Sequence, residues 1–260
     1  ILNIGIKGES IKYIGNESIS GNESINAKGY VVTPGFIDIH THSDLSFIVD
    51  PDADSKLVQG VTFELMGNCG MSFCAPLSKD NKYQHQERLN RYGIKKEMDW
   101  NNFDDWLTEI ENNTPSINVA AQIGHGNLRS YVMGMEARQA NPDELNKMKD
   151  EIQKACDQGV LGFSTGLWYA PGSYSSAEEI IELAKIANRN NILYSSHIRS
   201  ESDDSSGLFP AHAEAIEIAR RSGVRVQISH VKSVGPKFWG RGYELIEGIE
   251  KARNEGLDVA

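Results

Sequence analysis

Two patterns of apolar and polar positions follow one another along the chain. From Ile1 to about Tyr30 they alternate, as in Ile4-Gly5-Ile6-Lys7 and Ile11-Lys12-Tyr13-Ile14, with turn residues at Gly8-Glu9-Ser10 and Gly15-Asn16. A period of two marks a half-covered strand, so this segment predicts short antiparallel strands. Such hairpins are only marginally stable alone, which makes residues 1–32 part of a small β-sandwich-like domain.

The second pattern consists of short apolar runs separated by stretches with helical spacing. Val31 and Val32 followed by Phe36–Ile39 read as one buried strand, Val61–Met66 as the next and Ile117–Ile123 as a third. Further strands begin near residues 160, 192, 224 and 257, about 32 residues apart, with a helix between each pair. Pro142 follows Asn141 as a first-turn residue, Ser176 and Glu179 form a capping box, and Gly159 and Gly223 close two of the helices. The region 78–112 is polar, with one helix expected around Phe103–Ile110 and His85 expected on a solvated surface.

Repeated strand–helix units build a right-handed parallel sheet. Seven strands, the last one cut, fit a (β/α)8 TIM barrel over residues 33–260 that is truncated before its eighth strand. An open doubly wound sheet is the competing α/β arrangement. No Gly-x-Gly-x-x-Gly turn follows the first strand, which disfavours its nucleotide-binding form.

Composition narrows the partners. At 260 residues the chain can bury a sizeable core, and its net charge of −10 would repel nucleic acid or an anionic membrane. No apolar run approaches the roughly 20 residues that span a bilayer, and no basic-then-apolar leader is present. The expectation is a cytoplasmic protein acting on a small molecule. The three cysteines fit neither a disulfide framework nor a zinc-finger spacing, in keeping with a reducing compartment.

The barrel reading gives the histidines a meaning. Functional groups of such barrels sit at the C-terminal strand ends. Those ends carry His40 and His42, then Cys69, His125, Ser164 with Thr165, His197 and His230, so five of the seven histidines gather there. Side chains at i and i+2 of a strand share a face, which aims His40 and His42 at one point. Imidazole with thiolate suits zinc first, with iron, cobalt or nickel behind it, whereas magnesium and calcium prefer oxygen. His125 is expected to be structural. Arg199 is either a carboxylate clamp or a salt-bridge partner of Glu201.

The stretch Gly35-Phe-Ile-Asp-Ile-His-Thr-His42 resembles the first-strand motif of the amidohydrolase superfamily. Gly67-Asn-Cys-Gly70, Gly166-Leu-Trp-Tyr-Ala-Pro171, Ser196-His-Ile-Arg199 and Ser229-His-Val-Lys232 together resemble its D-aminoacylase branch, the N-acyl-D-amino-acid deacylases. The resemblance covers almost the whole chain. It implies hydrolysis of N-acyl-D-amino acids by metal-activated water, with Cys69, His197 and His230 as ligands of a tight zinc site. His40 and His42 become ligands of a second, weaker one, and Tyr169 and Lys232 substrate contacts. The strand-four end lacks the carboxylated lysine of other superfamily members, in line with a cysteine taking that place. The resemblance also implies a general-base aspartate at the end of strand eight, beyond Ala260, so these 260 residues alone are expected to show little deacylase activity. A cyclic-amide hydrolase and an inactive metal-binding fragment are the alternatives.

Overall fold

The computed structural model describes every residue except Ile1, Ala75 and Ser205. It divides into two compact units, Ile1–Gly35 and Phe36–Ala260. In the first, strands β1 (Asn3–Lys7) and β2 (Ser10–Gly15) pair antiparallel around the two-residue turn Gly8-Glu9, with a register irregularity between Gly5 and Ile6. Val31 and Val32 are exposed and lie outside any strand, so the expected long first strand of the barrel is shorter than its apolar run suggested.

The second unit holds one six-stranded sheet. Its strands are β3 (Phe36–Asp38), β4 (Val61–Met66), β5 (Asn118–Gly124), β6 (Gly162–Gly166), β7 (Leu193–His197) and β8 (Val226–Ile228). They pair in chain order, all parallel. Where the seventh strand was expected, Val259 makes an isolated parallel bridge to Val226. In a flat sheet with strands about 4.8 Å apart, β3 and β8 would stand roughly 24 Å from each other. Instead the rings of His40 and His230, each two residues past those strands, have centroids 5.0 Å apart. The sheet is curled into a partial (β/α) barrel whose C-terminal rim faces inward.

Nine helices are seen among the described residues: α1 (Ser46–Val49), α2 (Asp54–Leu57), α3 (Lys79–Arg91), α4 (Phe103–Asn112), α5 (His125–Met133), α6 (Pro142–Asp157), α7 (Ala177–Arg189), α8 (Leu208–Ser222) and α9 (Gly242–Asn254). None is long and apolar enough to cross a membrane. Met148, Ile152 and Ala155 of α6, and Ile180, Leu183, Ala184 and Ala187 of α7, keep a spacing of three or four and are buried in the same core as Phe163 and Tyr194 of the sheet. A hydrogen-bonded polar layer lies within the barrel: Ser195 donates to Gln122 (2.9 Å), and Gln122 donates to Asn68 (2.7 Å), all three fully buried.

Several local expectations shift. Helix α3 arises from a polar run, with the Ser78 side chain accepting from the Asn81 N–H at 3.1 Å. Helix α5, which the sequence pattern did not mark, starts directly on the end of β5. Asn141 and Glu144 form the full reciprocal capping box of α6. At α7 only half of the expected box forms, because the Glu179 carboxylate turns instead to His125 and Arg129. His85 is not solvated: its ring lies 3.8 Å from that of Phe73, both of its nitrogens are buried without hydrogen-bond partners, and burial, then Arg88, holds its pKa down to about 4.

Candidate metal centre

His40 and His42 lie just past β3 rather than within it. The Asp38 side chain accepts from the His40 N–H at 3.2 Å, a local bond that ends the ladder and turns the chain. The two rings are 5.5 Å apart, with His40 half-buried and turned toward the rim and His42 exposed.

The Cys69 turn is set by its glycines. Gly67 takes φ +75° and Gly70 φ +71°, values that suit glycine. A Cβ on Gly67 would overlap the Gln122 carbonyl oxygen of β5, and one on Gly70 would lie 2.5 Å from the Gly166 nitrogen of β6. The turn is thereby threaded between two strand ends. Ser164 stitches it in place, accepting from the Gly70 N–H (3.0 Å) and donating to the Gly67 carbonyl (2.5 Å). The Tyr169 hydroxyl donates to the Cys69 carbonyl. Cys69 itself has φ +56° and His230 φ +37°, so two of the five non-glycine residues with positive φ among the described residues are candidate ligands. Such strain persists only where the surroundings over-determine the backbone.

The side chains converge. Cys69 Sγ lies 3.3 Å from His40 Nε2 and 3.5 Å from His230 Nε2. The His197 and His230 rings meet edge to face at 4.5 Å. Two overlapping donor groups result, His40–Cys69–His230 and His197–Glu201–His230, each with its ligand atoms within 4.8 Å of one another. Sequence reasoning named Glu201 only as a candidate partner of Arg199; its Oε1 lies 2.9 Å from His230 Nδ1 and its Oε2 pairs with Lys232 Nζ at 3.0 Å. His42 stands outside both groups.

Arg199 pairs with Glu214 of α8, 2.9 Å from Nε to one oxygen and 2.9 Å from Nη2 to the other, and also donates to the Ser173 carbonyl. Glu201 is not its partner. Tyr169 is half-buried with its ring 5.3 Å from that of His197, and burial raises its hydroxyl pKa. His125 is fully buried, 2.8 Å from Glu179, which also pairs with Arg129. Burial pushes the Glu179 carboxyl up, but the bonds from His125 and Arg129 outweigh it and leave the group below its usual range. Asp38 pairs with Lys56 at 3.0 Å, and Asp44 is buried, accepting from the Phe73 N–H.

Burial, then the neighbouring His230, holds His40 and His197 down to about 4. Both imidazoles are therefore neutral at pH 7, the state that ligates metals. His40 Nδ1 and His197 Nε2 are buried without hydrogen-bond partners; the nearest Glu201 oxygen to the latter is 3.8 Å away. Burial pushes the Cys69 thiol up to about 11, so binding a cation there displaces its proton. Neutral imidazoles with unpartnered nitrogens around one thiol fit a zinc ion.

A curled parallel barrel with imidazoles and a thiol gathered on its C-terminal rim has the make-up of a metal-binding barrel protein. The chain belongs to the amidohydrolase family, whose model matches residues 23–228. It is 35% identical over 258 residues to an N-acyl-D-glutamate deacylase of Alcaligenes xylosoxydans xylosoxydans, covering 99% of this chain and 51% of that protein. Among solved structures, a D-aminoacylase crystal structure superimposes with a TM-score of 0.88 at 34% identity, over 100% of this chain and 53% of the other. The N-acyl-D-glutamate deacylase of Bordetella bronchiseptica, complexed with zinc and a phosphonate inhibitor that mimics the reaction's tetrahedral intermediate, gives a TM-score of 0.84 at 34% identity, over 100% and 53% of the two chains. The chain thus spans about half the length of the relatives it matches.

Proposed function

We propose that this chain carries the metal-binding part of a zinc-dependent N-acyl-D-amino-acid deacylase, an enzyme that hydrolyses the amide to a carboxylate and a free D-amino acid. The observation that carries the reading is the convergence of His40, Cys69 and His230, with His197 and Glu201 alongside, on one rim of the barrel. A zinc ion held there supplies Lewis acidity and draws the pKa of water down toward about 7.

The chain's own residues do the rest of the work assigned here. Lys232 is half-exposed, and Glu201 holds its ammonium at the rim, where it can bind the carboxylate of an N-acyl amino acid. Tyr169 commits its hydroxyl proton to the Cys69 carbonyl, so its ring edge beside His197 borders the substrate while its oxygen steadies the turn. Arg199, engaged by Glu214 and Ser173, braces the loop after β7, and Lys232 is the cation assigned to the substrate. No residue of this sequence is assigned as general base.

Zinc analysis and amine release from paired N-acyl D- and L-amino acids test the reading on the protein at the length its source encodes. About one zinc per chain, lost in Cys69→Ala, with turnover confined to the D-substrates is the expected result. Equal turnover of both enantiomers, or zinc retained in both Cys69→Ala and His230→Ala, overturns it.

A further inference from the structure

We propose that Glu201 is the positioning residue of this centre: its carboxylate fixes the His230 imidazole with the proton on Nδ1, leaving Nε2 free to ligate, and ties the Lys232 ammonium to the same spot. The inference rests on reading the rim cluster as a metal centre.

Glu201 is 3% exposed and divides its two oxygens between two partners. Oε1 lies 2.9 Å from His230 Nδ1, and Oε2 lies 3.0 Å from Lys232 Nζ. A carboxylate oxygen only accepts, and at 2.9 Å it would meet the lone pair of an unprotonated Nδ1, so the contact favours an N–H on that atom. Lys232 Nζ, which only donates, lies 3.5 Å from the same nitrogen and pulls toward the opposite tautomer, but the carboxylate is closer and the ammonium has a nearer acceptor in Glu201 Oε2 at 3.0 Å. With the proton on Nδ1, the neutral ring has its lone pair on Nε2, the atom that faces Cys69 Sγ at 3.5 Å. Bonds of this kind orient metal-ligating histidines and set their tautomer.

The carboxylate is itself held in place. The Glu201 carbonyl accepts from the Val234 N–H at 2.9 Å, pinning the loop after β7 to the loop after β8. Next to it, Ser200 donates to the Asp204 carboxylate at 2.5 Å, and Asp204 accepts from the Trp168 indole at 2.9 Å. One loop therefore presents a fixed acceptor to two residues of another, and His230, whose φ of +37° is strained, gains an anchor on the side away from its ligating nitrogen.

The test combines nitrogen-15 NMR of the histidine rings in metal-free protein with zinc competition against a chromophoric chelator. His230 is assigned by loss of its signals in His230→Gln. The wild type is expected to show the Nδ1–H tautomer at His230. Glu201→Ala should lose that preference and weaken zinc binding roughly 10–100-fold, while Glu201→Gln, whose amide oxygen still accepts from Nδ1, restores the tautomer and most of the affinity. An Nε2–H tautomer in the wild type overturns the proposal, and this measurement stands even if Glu201→Ala fails to fold. Unchanged zinc affinity in Glu201→Ala also overturns it, as does outright loss of zinc matching Cys69→Ala, which would make Glu201 a ligand. If the wild type binds no zinc, the metal-centre reading fails, whereas the metal-free tautomer still reports on Glu201 separately.

Discussion

Gly67 and Cys69 show how much of the centre depends on backbone rather than on donor atoms. An alanine at position 67 would need a left-handed φ, costing about 1–3 kcal/mol, and would press its methyl into the β5 backbone at Gln122. Gly67→Ala is therefore expected to lower the urea midpoint and to reduce zinc affinity together, since the neighbouring thiol moves with the turn. A variant with normal zinc affinity at lowered stability would separate the turn from the thiol. The gathering of His40, Cys69, His197 and His230 was legible in the sequence, because strand ends of a parallel barrel share one rim, whereas His42, expected with them, stands outside both groups. The place of Glu201 was not legible. It sits in a polar Ser-Glu-Ser-Asp-Asp run, and its partners His230 and Lys232 are brought to it only by the fold. The expected Arg199–Glu201 pair failed for the same reason: the acceptor of Arg199 is Glu214, fifteen residues on, in the middle of a helix. His85 belongs to a helix polar enough to look solvated, and Phe73, which covers it, comes from a preceding loop.

At the scale of elements, two helices begin with similar sequence signals and use them differently. The α6 box of Asn141 and Glu144 is local and partly exposed, so Asn141→Ala should cost about 1 kcal/mol. Glu179 of α7 has abandoned its cap to neutralise Arg129, which is fully buried. Removing the carboxylate strands that guanidinium, and Glu179→Ala should cost about 3–5 kcal/mol. Chemical denaturation of the two variants checks the ranking, and equal losses would contradict the assignment. Sequence periodicity located strands β4 to β7 and helices α6 to α9 well, because each buries an apolar face. It missed α3 and α5 because α3 is mostly polar and α5 follows its strand without a turn. It overextended the first strand, since β3 is a sheet edge that leaves Phe36 and Ile37 exposed and apolar character alone does not mark burial.

For the whole molecule, pH dependence follows from the histidines. Burial is the foremost influence lowering the pKa of all seven, to about 4 at His85. As the pH falls below the ordinary value of 6.5, the unfolded chain takes up protons first, so stability present above that value is lost toward pH 4. Asp44, pushed up to about 6 by burial, acts in the opposite sense: its contribution is complete below 3.8 and is lost as the pH rises through about 6. One carboxyl faces seven imidazoles, so the melting temperature of metal-free protein should fall between about pH 7 and pH 5, and fall less in His85→Leu. A flat profile would contradict the burial of these rings.

The curl of the sheet has a further, mechanical consequence. Cys69 and His230 are separated by 161 residues yet touch, and they follow the second and the last strands of the sheet. An ion bound by both, as proposed, would be a clasp that holds the barrel wall in its curve. Because so long a loop closes only after the intervening strands have docked, the clasp is set late in folding. Zinc should then slow unfolding while leaving the refolding rate unchanged, and stopped-flow traces with zinc and with chelator would show it. Faster refolding with zinc would mean that the clasp closes before the wall is built.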